Sequence, residues 1–155
     1  MRRSDREVKD PDIIFQALED ARTVRIAYQD AEGLTIVPVT FAPVKEGEDL
    51  LLVLHGAKEG RKHAAFSKGC DVAFETEAGL APHVSAEPGQ NSWAFTTVIG
   101  HGRVSLVTDP GRALSHLRAL LASHGAPLEG LRPEMADWAA VFELRVTDLA
   151  CKRHA

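Results

Sequence analysis

The hydrophobic positions change period along the chain, and each change marks an element. Ile13, Ile14, Ala17, Leu18 and Ala21 fall on one face at helical spacing, behind Asp10-Pro11-Asp12. An acceptor at the cap, a proline in the first turn and an early acid predict a helix that ends near Arg22. Thr23 to Tyr28 then alternates, with Val24 and Ile26 facing one way, and Asp30-Ala31-Glu32-Gly33 supplies a turn. A second strand is predicted over Leu34 to Phe41, with Val37 and Val39 on one face. Pro38 inside it cannot donate a ladder hydrogen bond, which places it at an edge, at a bulge, or beside something other than a strand. Lys45 to Asp49 reads as a hairpin turn, and the unbroken apolar run Leu50 to Leu54 as a strand buried on both faces.

Gly60 to Lys68 carries a short helical pattern stopped by Gly69, and Cys70, Val72 and Phe74 alternate as the next strand. Gly79 to Ser92, with two prolines, reads as a long loop. Trp93 to Val107 is the longest β-rich stretch; Gly100 and Gly102 interrupt it and predict a bulge or a close backbone approach. After Asp109-Pro110, a stripe of Ala113, Leu117, Leu120 and Leu121 predicts a third helix ending at Gly125, and Val141 to Leu149 a last strand. About six strands with three helices set aside describe a mainly β chain with an antiparallel barrel, because the βα rhythm of a doubly wound sheet is missing.

With 155 residues and 45% hydrophobic content, the chain fits one domain spanning 1–155. A net charge of −4 and a pI near 6.0 give no general attraction to phosphate backbones, and no basic patch argues for a nucleic-acid partner. Met1-Arg2-Arg3 is followed by charged residues where a leader would turn apolar, so a cytoplasmic protein is expected. No stretch approaches the roughly 18 apolar residues of a spanning helix, so no membrane partner is expected. Cys70 and Cys151 are isolated and read as packing residues of a reduced compartment.

The stretch with most chemistry is Leu54-His55-Gly56-Ala57-Lys58-Glu59-Gly60-Arg61-Lys62, where a buried strand passes two glycines into a helix start bearing two cations. Free N–H groups there, with Arg61 and Lys62, outline an anion site. An ordinary strand-to-helix turn with solvated basic residues explains the same spacing equally well. His55 is a candidate proton donor or ligand, or simply a hydrogen-bonded histidine at a strand end. His116 and His124 stand eight apart without an acid at the helical i+4 position, so no metal is expected. No Gly-x-Ser-x-Gly elbow occurs, and Gly100-His101-Gly102 lacks the third glycine and the helix of a dinucleotide fingerprint. Trp93, Phe95, Thr96 and Thr97 are most simply core aromatics with surface threonines.

Five segments in order resemble the nitroimidazole-resistance-like branch of the pyridoxamine 5′-phosphate oxidase-like FMN-binding split barrels. They are Met1-Arg2-Arg3-Ser4-Asp5-Arg6-Glu7-Val8, Val37-Pro38-Val39-Thr40-Phe41, His55 through Lys62, Thr97-Val98-Ile99-Gly100-His101-Gly102-Arg103, and Cys151-Lys152-Arg153. The resemblance implies a six-stranded antiparallel split barrel that forms a homodimer and holds FMN in clefts between the subunits. It implies a flavin ring along Pro38, Val39, Thr40 and Phe41, a phosphate on Arg61 and Lys62, and a ribityl and ring region lined by His55, Gly56 and Ala57. Trp93, Thr96, Thr97 and Val98 would come from the partner subunit. The activity implied is an FMN-dependent oxidoreductase acting on a small acceptor such as a nitro-aromatic compound, with His55 as the candidate catalytic residue; the alternative is a carrier of flavin, deazaflavin or haem.

Overall fold

A computed structural model describes residues 4–154; Met1, Arg2 and Arg3, which open the resemblance and the basic start, lie outside the described residues. In chain order the elements are β1 (Glu7–Val8), α1 (Pro11–Asp20), β2 (Val24–Asp30), β3 (Gly33–Val39), β4 (Phe41–Glu46), β5 (Asp49–Gly56), α2 (Arg61–Ser67), β6 (Cys70–His83), β7 (Ser92–Leu106), α3 (Pro110–Ser123) and β8 (Ala140–His154). The eight strands form one open antiparallel sheet in the order β3-β2-β6-β7-β8-β5-β4, with β1 paired to the far end of β8.

The expected caps form. Asp10 Oδ1 accepts the N–H of Asp12 at 2.9 Å at the start of α1, and Asp109 accepts the N–H of Arg112 at 2.7 Å at the start of α3. Leu18 of α1, Phe66 of α2 and Val24, Ile26, Leu52, Leu54, Phe74, Phe142 and Leu144 of the sheet fill the core that the sheet wraps. The double burial expected of the Leu50–Leu54 run follows from a second layer: Leu52 and Leu54 enter the main core, while Val53 packs outward with Ala113 and Leu120 of α3.

Three readings of the sequence change. The predicted strand Leu34–Phe41 is two strands, because the chain leaves the β2 ladder after Val39 and joins β5 at Phe41. Val39 and Phe41 both face the core, so the two-residue alternation runs through the switch without a trace. This leaves β3 and β4 as the two edges of the sheet, the split of the barrel, and puts Pro38 on an edge as its missing donor requires. The predicted loop Gly79–Ser92 is shorter than expected: β6 continues to His83 past a register shift between Ala78 and Ala81, and 84–91 form the connection to β7. Pro82 is tolerated because that end of β6 pairs with β7 alone. The last strand runs on to His154, and with β4 and β1 the count among the described residues is eight rather than six.

Gly100 and Gly102 meet the expectation of close approach and bulge. A Cβ on Gly100 would stand 2.4 Å from the Asp148 carbonyl oxygen, and one on Gly102 2.3 Å from that of Arg145. The β7–β8 register shifts between His101 and Gly102. Cys151 is buried in the core and Cys70 is partly covered, in keeping with packing roles.

Candidate functional site

At the end of β5 the sheet, α2 and α3 converge. Phe41 pairs with Leu54, so Thr40 and His55 are the next residues beyond the β4–β5 ladder, while on the other side His55 pairs with Val141 and Gly56 with Ala140. Strand alternation sends His55 toward α3 and turns Gly56 toward the barrel mouth. Lys62, in the first turn of α2, reaches back over Gly56: a Cβ there would stand 2.8 Å from Lys62 Nζ and 3.9 Å from the Phe142 ring.

The turn before α2 is built for close approach. Gly60 occupies the N-cap with φ of +92°, a conformation that favours glycine, and no side chain caps the helix. The anchor of α2 is Phe66, fully buried, which meets Tyr28 edge-on at 5.1 Å and Phe142 at 5.6 Å. His63 lies 6.0 Å from the Phe142 ring and 3.3 Å from Ser67 Oγ. Beside it runs a cleft of about 350 Å³ lined by Lys58, His63, Thr108, Pro110, Asp137 and Val141 among others.

The two cations of the turn are not equivalent. Arg61 donates from Nε and Nη2 to both oxygens of Asp30, each at 2.8 Å, and from Nη2 to the Gly33 carbonyl at 3.0 Å. That fork holds the Asp30 carboxyl below its ordinary range and the Arg61 guanidinium above its own. Lys62 makes no hydrogen bond or ion pair among the described residues, and burial lowers its pKa. His55 is lowered too, first by burial and then by the charges of His124 and Lys62. A half-covered ammonium without a carboxylate beside it favours an anion.

Pro38 and Thr40 are exposed at the split, while Val39 and Phe41 give their side chains to the core and offer a ligand only backbone. Trp93, Thr96, Thr97 and Val98 do not join this group within one chain. Val98 pairs with Cys151, whereas Leu106 stands at the level of Phe142 and Leu54, a path of roughly 25 Å along β7. The expected burial reverses at two of them: Trp93 is 57% exposed, and Thr96 is buried and accepts a hydrogen bond from Arg153 Nε at 3.1 Å. Val98 lies in the core and Thr97 on the outer face.

Sequence reading missed Asp30 and His124, because neither has a local signal; a turn aspartate and a helix-end histidine gain their roles from elements far away in the chain. It also left His116 without an acid. Buried on α3, His116 Nε2 lies 3.1 Å from Glu143 of β8, which also accepts from Arg112 Nε at 2.7 Å.

A family model for pyridoxamine 5′-phosphate oxidase matches residues 10–153. The chain belongs to this family. Among solved structures, this family member is similar to a protein of Bacteroides thetaiotaomicron provisionally assigned to 5-nitroimidazole antibiotic resistance, with 18% identity, 95% of this chain and 86% of that one covered, and a TM-score of 0.77. It is also similar to the flavocytochrome Anf3 of Azotobacter vinelandii (17%, 100% and 72% covered, TM-score 0.76) and to an FAD and heme binding protein of Mycobacterium smegmatis (15%, 96% and 73%, 0.77). At these identities the likeness is one of fold, and it bears out the split barrel. No curated protein sequence matches this member of the family. Among the described residues no helix is long and apolar enough to cross a membrane.

Proposed function

We propose that this chain binds FMN in a cleft between two copies and serves as an FMN-dependent oxidoreductase for a small acceptor, nitro-aromatic compounds included. The observation that carries the reading is Lys62, an unpaired, half-buried cation held over Gly56 at an uncapped helix start. These residues fit a phosphate monoester: Lys62 meets its charge and the N–H groups after Gly60 meet its oxygens, while Arg61 is turned to Asp30, Gly33 and, through Nη1 at 3.9 Å, Glu32. Bound there, the flavin would supply electron transfer between a reduced donor and the acceptor.

The chain's own residues bind and orient. At the split, where β3 passes into β4, the backbone of Pro38, Val39, Thr40 and Phe41 offers polar groups to the ring, and Pro38 withholds a donor at one position. Gly56 and Ala57 give the ribityl chain room. His55, kept largely neutral near pH 7 by burial first of all, is able to accept or release a proton beside the site. Trp93, Thr96, Thr97 and Val98 stand too far from His55 to serve the same cleft in one chain, and a second copy is the source of that wall. A homodimer of this kind also covers the exposed Leu34 and Ile36 of edge strand β3.

A carrier of flavin or haem without turnover is the second reading, favoured by the flavocytochrome and the FAD and heme binding protein that share the fold. An absorbance spectrum with added FMN, followed by NADH and NADPH without oxygen, separates the two. Flavin bands that bleach with a nicotinamide support the reductase. Bound flavin that no nicotinamide reduces supports the carrier, and absence of binding overturns both flavin readings.

A further inference from the structure

We propose that Asp30, at the β2–β3 turn, is a positioning residue for the phosphate end of the cofactor site; the inference rests on the flavin reading above. Asp30 touches no part of that site itself. Its two oxygens take up the Arg61 fork at 2.8 Å each, and the Gly33 carbonyl completes a three-point hold on the first residue of α2. Asp30 Oδ1 also accepts the N–H of Glu32 at 2.9 Å, which fixes the turn that presents the carboxylate.

The reason such a hold is needed lies in α2 itself. The helix has 7 residues, no side-chain cap, and a single fully buried anchor, Phe66, at its far end. A helix this short is marginal without tertiary contacts. Its first turn carries Lys62, whose long side chain is useful to a phosphate only while Nζ is held over Gly56. A bidentate arginine–carboxylate pair fixes direction as well as distance. It therefore sets the azimuth of the first turn and, one residue on, the reach of Lys62. Arg61 is thereby a strut more than a phosphate ligand, and Lys62 carries the recognition of the monoester.

The test compares FMN with riboflavin, which has the same ring and ribityl chain but no phosphate. Wild type, Asp30→Asn, Asp30→Glu and Lys62→Met, and the double variant of Asp30→Asn with Lys62→Met, are titrated with both by fluorescence quenching, with thermal melts alongside. Asparagine keeps an acceptor for the Glu32 N–H and removes the charge that holds Arg61. The expected result is FMN binding weakened about tenfold by Asp30→Asn, the scale of one charge-assisted hydrogen bond, with riboflavin binding unchanged. Asp30→Glu should restore most of the loss, and Asp30→Asn should add nothing once Lys62 is methionine. Equal weakening toward both ligands, or no weakening toward either, overturns the role, leaving Asp30 a partner in folding alone. Should Asp30→Asn fail to fold, Asp30→Ser takes its place under the same criteria. A wild-type protein that binds neither ligand overturns the flavin reading, and this role with it.

Discussion

Lys62 lies across Gly56, its Nζ 2.8 Å from the place a Cβ on that glycine would occupy. The contact is with the end of a flexible side chain, so Gly56→Ser should leave the fold intact and push the ammonium aside. FMN affinity is expected to fall severalfold, and riboflavin affinity to stay. Isothermal titration with both ligands checks it; unchanged FMN affinity would show that Lys62 has other productive positions.

Gly100 and Gly102 leave no such freedom. A Cβ on either would stand within 2.4 Å of a backbone carbonyl oxygen of β8 and within 2.7 Å of Phe74 or Leu144. Gly100→Ala and Gly102→Ala should each destabilise by about 3 kcal/mol, as overpacking against backbone does, with the bulge at His101 disturbed. Urea unfolding monitored by circular dichroism would measure the loss.

Glu143 joins α3 to β8 through His116 and Arg112, and Arg112 Nη2 continues to Glu46 at 2.9 Å. Burial by itself would raise the Glu143 carboxyl; the hydrogen bonds from His116 and Arg112 outweigh it and hold its pKa below 4.5. A carboxylate with a depressed folded pKa stabilises the fold above its ordinary pKa and loses that contribution as acid titrates it. Wild type should therefore lose more stability than Glu143→Gln between about pH 5 and pH 3. At pH 7 the variant should be weaker by about 1–3 kcal/mol, since the glutamate is partly exposed. Denaturant midpoints at the two pH values test both statements.

His55 gives a linkage of the same sign from a different cause, a cation disfavoured by burial. Its folded pKa lies below the ordinary histidine value, so on acidification the unfolded chain binds more protons at this position than the folded one, and stability is lost as the pH is lowered. His55→Ala should blunt that fall between pH 7 and pH 5 while leaving the neutral melting temperature close to wild type. If the imidazole also moves a proton during turnover, the variant will show a changed pH profile of cofactor reduction under stopped flow. An unchanged profile would confine His55 to the electrostatics of the site.

The elements whose cause is local were legible. Asp10 and Asp109 cap helices because a carboxylate two or three residues ahead of free N–H groups does so in any setting. Gly100 and Gly102 announced a bulge, and the Leu50–Leu54 run announced burial on both faces. The strand break at Thr40 was not legible, since Val39 and Phe41 keep one alternation while changing partners. Nor was the strand at Gly79–His83, where glycine and proline mimic a loop.

In the candidate site, the sequence alone determined the inventory: a strand end, two glycines and two adjacent cations. The tertiary structure decided which cation was spoken for. Asp30 comes from a turn 31 residues before Arg61 and takes its guanidinium, while Lys62, one residue later and turned by a helical step, points to Gly56 and stays unpaired. Periodicity reports which way a side chain faces from its own backbone; what it meets there depends on chain segments brought together only when the sheet wraps its core.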